Sequence, residues 1–126
     1  MQRATNNGFT LIELLVVMAI IATLLTIAVP RYFNSVDRSR ETVLRQNLAL
    51  TREVLDKYYG DNGRYPDRLE DLVSRRYLRK LPDDPFTGDA TSWRIVPPDS
   101  ADKGGVFDIR SGAPGTARDG TAYGDW

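Results

Sequence analysis

The feature that most constrains this chain is an apolar run near its N-terminus. Residues Phe9 to Val29 contain four polar side chains, Thr10, Glu13, Thr23 and Thr26. A helix needs roughly 20 residues to cross a hydrocarbon core about 30 Å thick. This run of 21 residues is long enough to do so. The sequence therefore predicts a membrane-spanning helix over residues 9–29.

One carboxylate, Glu13, lies inside this run and close to its start. An ionisable group in a membrane segment is costly unless it is paired or reaches the interface. Two interpretations follow: Glu13 reaches the interface from a shallow position, or it needs a positive partner. Cleavage before Phe9 would supply such a partner, because a free α-amino group is positively charged near neutral pH. Phe9 and Glu13 are four residues apart, so they share a helix face and could pair within a chain or between staggered neighbours.

The residues at this junction, Gly8-Phe9-Thr10-Leu11-Ile12-Glu13, resemble the cleavage and methylation motif of type IV pilins and type II secretion pseudopilins. The resemblance implies that a prepilin peptidase cuts after Gly8 on the cytoplasmic side, removes a leader of residues 1–8 and methylates Phe9. It also implies that Glu13 helps to dock a new subunit onto a filament. The polar leader, with Arg3, agrees with a cytoplasmic start.

Pro30 follows the apolar run and lacks the N–H group that a continuing helix uses. We expect it to end or bend the helix. Either it makes a simple kink, or, as the pilin resemblance implies, the helix loosens there in assembled filaments.

Residues 30–60 are predicted to form an amphipathic helix that stops at the turn cluster of residues 60–63. Its apolar positions recur at spacings of three, four and seven; they are Val36, Val43, Leu44, Leu48, Thr51, Leu55, Tyr58 and Tyr59. The two segments together make a helix of about 50 residues, roughly 75 Å long. A monomer of this size cannot bury such a length, so its exposed half needs lipid or sister subunits.

The remaining residues, 61–126, are predicted to form a small globular head. A short helix follows Pro66, with Asp67 and Glu70 as a capping pair. Ser92–Val96 and Gly105–Arg110 are predicted strands, and the chain beyond them is predicted to be loop. The predicted fold is therefore α+β and pilin-like, with a long N-terminal helix packed on a small antiparallel-sheet head.

Several turn motifs of the head resemble the major pseudopilin of type II secretion systems; they are residues 61–66, residues 77–82, Asp84-Pro85 and Gly124-Asp125-Trp126. This resemblance implies a non-enzymatic, single-pass inner-membrane subunit with its head in the periplasm, which polymerises into a filament of identical subunits that aids protein export. Prepilin peptidase, minor pseudopilins and an inner-membrane assembly platform are the implied partners. The alternative is a major or minor pilin of a type IV pilus, serving adhesion, motility or DNA uptake.

The same resemblance implies a calcium site in the final loop, but this chain departs from the family there. Pro114 stands where the family often has Asp, and Thr121 and Ala122 replace an acidic pair. Calcium takes six to eight oxygens, usually with more than one carboxylate. We therefore predict no metal ligands, and expect Tyr123, Trp126 and the loop's own packing to hold it.

Composition excludes several other kinds of site. The chain has no Cys and no His, which excludes disulfides, cysteine nucleophiles, the usual zinc sites and His-based acid–base catalysis. Lys plus Arg and Asp plus Glu each number 17, so net charge gives no argument for nucleic-acid binding. No catalytic residue is predicted.

Two charged clusters remain in the head. Arg75-Arg76 and Arg79-Lys80 are predicted to be a solvated helix face, with DNA binding by a pilus-tip protein as the competing interpretation. The adjacent carboxylates of Asp83 and Asp84, bracketed by prolines, are predicted to serve a turn.

Overall fold

The computed structural model describes residues 7–126. Most of the predicted leader, residues 1–6 with Arg3, lies outside the described part. The described chain forms helix α1 (Leu11–Asn62), helix α2 (Asp71–Ser74), strand β1 (Arg94–Val96) and strand β2 (Asp108–Arg110), with single 3-10 turns at Ala101–Lys103 and Tyr123–Asp125. It divides into two compact units, the second beginning at Arg38.

The first unit consists of the N-terminal part of α1, which is apolar on every side. Its large hydrophobic residues from Leu11 to Val29 are 44–77% exposed. An 18-residue window of α1 has a mean hydropathy of 2.7 and is 0% buried. A helix that is hydrophobic all round needs an apolar environment, so this segment is suited by length and composition to crossing a membrane.

Pro30 was expected either to end or to bend the helix. It does not end it, so the first of these expectations is wrong. Residues on both sides of Pro30 belong to one α-helix of 52 residues. The helix ends later, at Asn62, because Gly63 adopts a φ of 71° while its N–H bonds the Tyr59 carbonyl at 2.8 Å. A glycine in this left-handed conformation commonly terminates helices.

The second unit has its own hydrophobic core, built on one face of α1. Leu44, Leu48, Leu55 and Tyr58 are buried there as the spacing predicted, whereas Val43 and Tyr59 are exposed. The α1 face contributes to a core cluster with residues from α2, the strands and the loops; these are chiefly Leu69, Leu72, Trp93, Val106 and Ile109. The head is thus organised around the amphipathic part of α1.

The sheet consists of β1 and β2, which are antiparallel, with Ile95 opposite Ile109. Both strands lie inside the two predicted segments, so the α+β expectation is confirmed. The predicted capping pair at α2 is wrong. Asp67 instead pairs with Arg64 at 2.6 Å, and α2 begins only at Asp71 with no side-chain cap.

Candidate functional site

The start of α1 carries a reciprocal capping box between Thr10 and Glu13. The Thr10 N–H donates to Glu13 Oε2 at 2.9 Å, and the Glu13 N–H donates to Thr10 Oγ1 at 3.2 Å. Both residues thereby satisfy backbone donors that the first turn of a helix leaves without intrahelical partners. The bond between Glu13 and Thr10 was not predicted from the sequence, although the Thr-x-x-Glu spacing is the signal for it.

The two other polar side chains of the apolar run bond to their own helix. Thr23 Oγ1 donates to the Ala19 carbonyl at 2.8 Å, and Thr26 Oγ1 lies 2.5 Å from the Thr23 carbonyl. Such bonds remove the cost of placing a hydroxyl in an apolar environment. The segment therefore presents satisfied polar groups and exposed hydrocarbon to its surroundings.

The predicted cleavage position lies just outside this helix. Gly8, Phe9 and Thr10 precede α1 in irregular backbone, and the Phe9 side chain is 88% exposed. A Cβ placed on Gly8 would meet no atom within 4 Å. An exposed segment outside the helix suits entry into a peptidase site, and three residues separate Phe9 from Glu13 in the chain.

Pro30 lies within α1 and leaves one carbonyl without its helical donor. Because proline has no N–H, the carbonyl of Thr26, four residues earlier, receives no bond from position 30. The Thr26 hydroxyl donates backwards, to Thr23 and to Ala22, and so does not replace it. This makes residues 26–30 the place where the helix has lost one backbone hydrogen bond.

The final loop does not fit the calcium ion that the family resemblance implies. Asp119 Oδ1 accepts bonds from the Thr121 N–H at 3.0 Å and the Thr121 hydroxyl at 2.6 Å, and Oδ2 lies 3.6 Å from Arg45. The hydroxyl bond to Thr121 is the main cause of a lowered Asp119 pKa. No group of three or more Asp, Glu, His or Cys side chains in residues 7–126 is arranged to hold a metal ion.

Aromatic packing holds this loop instead. The Tyr123 ring stacks on Phe86 with centroids 4.2 Å apart and meets Trp126 edge-on at 5.2 Å. Trp126 Nε1 donates to the Thr121 hydroxyl at 2.7 Å, and Arg45 lies over the Trp126 ring. Tyr123 and Trp126 thus make the contacts that the sequence predicted for them.

The two charged clusters differ in what they contact. Arg75, Arg76, Arg79 and Lys80 are exposed and follow α2, so they do not form the predicted helix face. Asp84 is 0% exposed and accepts bonds from Ser111 Oγ at 2.5 Å and from the Phe86 N–H at 2.9 Å. The bond to Phe86 is the predicted turn chemistry, but the long-range bond to Ser111 could not be anticipated from spacing.

Comparison with known proteins agrees with this geometry. A family model for the prokaryotic N-terminal methylation motif matches residues 3–29. The motif, the exposed apolar helix and the small α+β head together define a protein of the pilin class. No solved structure gives a significant match to the chain.

Relatives that align over nearly the whole chain show which family of the pilin class it belongs to. The type II secretion system core protein G of Pseudomonas aeruginosa is 31% identical over 146 aligned positions, covering 100% of this chain and 99% of that protein. Core protein G of Escherichia coli is 30% identical, covering 97% and 95%, and that of Klebsiella michiganensis is 29% identical, covering 100% and 96%. The chain belongs to the type II secretion system core protein G family.

A pilus protein is similar over a shorter stretch. The type IV major pilin protein PilA of Myxococcus xanthus is 37% identical over 67 residues, which cover 53% of this chain and 30% of that protein. The similarity to core protein G therefore extends over the head, whereas this pilin match covers about half of the chain.

Proposed function

We propose that this chain is the major structural subunit of a type II secretion pseudopilus, a helical filament in the periplasm that aids protein export. The subunit is inserted once in the inner membrane with its head in the periplasm, and it leaves the membrane when it joins the filament. Its partners are copies of itself, prepilin peptidase, minor pseudopilins and an inner-membrane assembly platform. Its contribution is packing and not catalysis.

The observation that carries this proposal is the unburied apolar segment of α1, with its Thr23 and Thr26 hydroxyls bonded within the helix. Lipid tails and the apolar helices of sister subunits are similar environments for such a surface. Transfer from one to the other therefore costs little hydrophobic free energy, and packing decides the outcome. A segment of this kind can be stored in a membrane and then moved into a filament core.

The N-terminal residues give this transfer its direction. Cleavage between Gly8 and Phe9 produces a positively charged amine, and N-methylation of Phe9 keeps that charge. The Thr10 N–H donates to Glu13 Oε2, and no bond to Glu13 Oε1 is seen within residues 7–126. In the membrane the capping box satisfies part of the carboxylate; in the filament the amine of a neighbouring Phe9 pairs with Glu13. Pro30 provides a helix segment that can adjust as neighbours pack.

The alternative, a type IV pilus subunit, shares the whole N-terminal mechanism. The match to PilA covers about half of this chain, and the core protein G relatives match the head as well. The secretion pseudopilus is therefore the better supported function.

The test uses Glu13 variants of the full chain, expressed in cells that carry the secretion machinery. Glu13→Gln keeps an oxygen that can accept the Thr10 bond but lacks the charge, and Glu13→Ala loses both. We expect both variants to be inserted, cleaved before Phe9 and methylated, as read by mass spectrometry. Loss of one charged hydrogen bond, about 2 kcal/mol per added subunit, weakens incorporation roughly 30-fold.

Filament yield is measured by chemical cross-linking of sheared filaments, with Thr23→Ser as the matched control on the same helix. Wild-type yields from Glu13→Gln would refute the pairing and leave Glu13 with a capping role only. Absence of cleavage in the unmodified chain would refute the leader itself.

A further inference from the structure

Three arginine side chains converge on the last three residues of the chain. Arg94 Nη2 donates to the Gly124 carbonyl at 2.7 Å, Arg110 Nη1 to the Asp125 carbonyl at 2.9 Å, and Arg52 Nη2 to the Trp126 carbonyl at 2.6 Å. Arg94 and Arg110 are direct partners across the two strands. Consecutive backbone oxygens are thus each held by a different guanidinium group.

Arg52 is the most constrained of the three. Its Nε donates to Asp108 Oδ1 at 2.8 Å, and its Nη2 also reaches the Ile109 carbonyl at 3.2 Å. One partly buried side chain on α1 thereby joins β2 and the last residue. A guanidinium group has five N–H donors in a fixed plane, which lets it serve several acceptors at once.

We infer that this arginine clamp, consisting of Arg52, Arg94 and Arg110, replaces a metal ion as the cation that fixes the C-terminal loop. Backbone carbonyls held in a cluster need positive charge or donors, and a calcium ion and guanidinium groups are two solutions to that need. Here the donors are part of the chain. The loop is consequently ordered without a metal, and the head keeps its stability in calcium-free surroundings.

Charge and geometry both disfavour a metal ion at these three carbonyls. A divalent cation bound there would compete for the oxygens that the guanidinium groups hold. It would also lie close to Arg94 and Arg110, whereas the charge of Arg52 is paired with Asp108. Gly124 also reflects the clamp, since a Cβ there would lie 2.5 Å from Arg94 Nη2. The absence of a side chain lets Arg94 reach the backbone.

The first experiment measures the melting temperature of the full chain in detergent micelles with excess chelator and with 1 mM calcium, using the near-ultraviolet signal of Trp93 and Trp126. We expect the two temperatures to agree within about 1 °C. A calcium site with a dissociation constant near 10 µM would raise the melting temperature by at least about 10 °C, and a rise of that kind would overturn the inference.

The second experiment tests the clamp itself with charge-conserving substitutions. Arg52→Lys keeps the charge but cannot serve the same three acceptors, so we expect the melting temperature to fall by about 5–10 °C. Arg79→Lys, on an exposed side chain, is the matched control and should change it by no more than about 2 °C. Equal effects of the two substitutions would refute the clamp.

Arg94→Lys and Arg110→Lys are milder variants, which keep the test usable if the Arg52 variant does not fold. A double-mutant cycle adds a readout specific to the contact. Gly124→Ala should lower the melting temperature when Arg94 is present and leave it unchanged beside Arg94→Ala. Equal shifts in both backgrounds would mean that Gly124 and Arg94 do not act together. The clamp does not depend on filament assembly, so these results and those on Glu13 can fail separately.

Discussion

The two units of this molecule satisfy their polar groups over very different sequence distances. In the apolar segment each side-chain hydrogen bond seen joins residues three or four apart, as in the Thr10–Glu13 box. In the head, Arg52 bonds Trp126 across 74 residues and Tyr123 bonds Glu41 across 82. The first unit makes its side-chain hydrogen bonds locally and exposes its apolar residues, whereas the head has a buried core.

This contrast agrees with the proposed transfer of the first unit from a membrane to a filament. A segment whose hydrogen bonds are local keeps them whether lipid or another subunit surrounds it. A head whose bonds are long-range keeps its shape while the helix changes surroundings. Substitutions that affect burial should therefore act on different properties in the two units.

The largest expected difference comes from replacing leucine by alanine at two positions of α1, one buried and one exposed. Leu55 is 0% exposed and Leu15 is 58% exposed. Leu55→Ala should lower the free energy of unfolding of the head by about 2–5 kcal/mol, because it leaves a cavity. Leu15→Ala should leave it within about 0.5 kcal/mol and lower filament yield instead.

Both variants are compared as full chains in micelles, by urea unfolding followed through Trp93. Equal losses of head stability would contradict the division into two units. Unchanged filament yield for Leu15→Ala would show that this side chain is not packed in the filament.

A second test concerns Pro30, where α1 lacks one backbone hydrogen bond. Pro30→Ala supplies the N–H group that the Thr26 carbonyl lacks, and alanine is favoured over proline within a helix by about 3 kcal/mol. Hydrogen exchange of the amides near residue 30 should slow by about 100-fold, with the melting temperature of the head unchanged. Mass spectrometry of peptides from deuterated micelle samples measures this.

Val29→Ala is the control, since it alters no backbone donor. Unchanged exchange in Pro30→Ala would mean that the helix is not weakened at Pro30. Slowed exchange with normal filaments would favour the simple kink over a role in assembly.

A smaller effect is expected at Asp84, the buried carboxylate of the head. Asp84→Ala leaves the Ser111 hydroxyl and the Phe86 N–H without this acceptor, which should cost about 2 kcal/mol. Asp83→Ala, on the exposed neighbour, should cost less than about 0.5 kcal/mol. Urea unfolding of the full chain distinguishes them, and similar values for both would contradict a structural role for Asp84.

The sequence predicted what depends on near neighbours. The apolar run, the buried positions Leu44, Leu48 and Leu55, and the antiparallel strands followed from periodicity and turn residues. Glu13 is singled out because it is the one carboxylate in an apolar run, and its role in assembly stays a prediction. Two contacts were not predicted: the bonds that Arg52 makes to β2 and Trp126, and the bond between Asp84 and Ser111. Both depend on partners far away in the chain.

Local rules also failed at two places. Asp67 and Glu70 have the spacing of a capping pair, but Arg64 takes Asp67 and the helix starts at Asp71. Pro30 is a helix breaker by its chemistry, yet the helix continues through it. One lost backbone bond is small beside the many other backbone bonds of a helix of 52 residues.

The smallest expected effect lies in the final loop and concerns pH. The Asp119 pKa is lowered from 3.8, chiefly by the Thr121 hydroxyl bond and then by the Thr121 N–H. Because the folded state lowers this pKa, the bonds stabilise the fold fully above about pH 3.8 and are lost as pH falls through the folded value. Thr121→Val removes the hydroxyl and should move the Asp119 pKa towards 3.8, as measured by carbon NMR of the carboxyl group.

Trp126 provides an internal check on the same variant, because its Nε1–H donates to the Thr121 hydroxyl. Its fluorescence should change while the Trp93 signal of the core stays constant. Thr91→Val is the control: it removes the Thr91 hydroxyl that bonds Asp89, keeps the Thr91 N–H that is the main cause of the lowered Asp89 pKa, and should leave the Asp119 pKa unchanged. An Asp119 pKa that does not move in Thr121→Val would mean that the Thr121 N–H and Arg45, which this variant keeps, are enough to hold it low, and would contradict the role given to the hydroxyl.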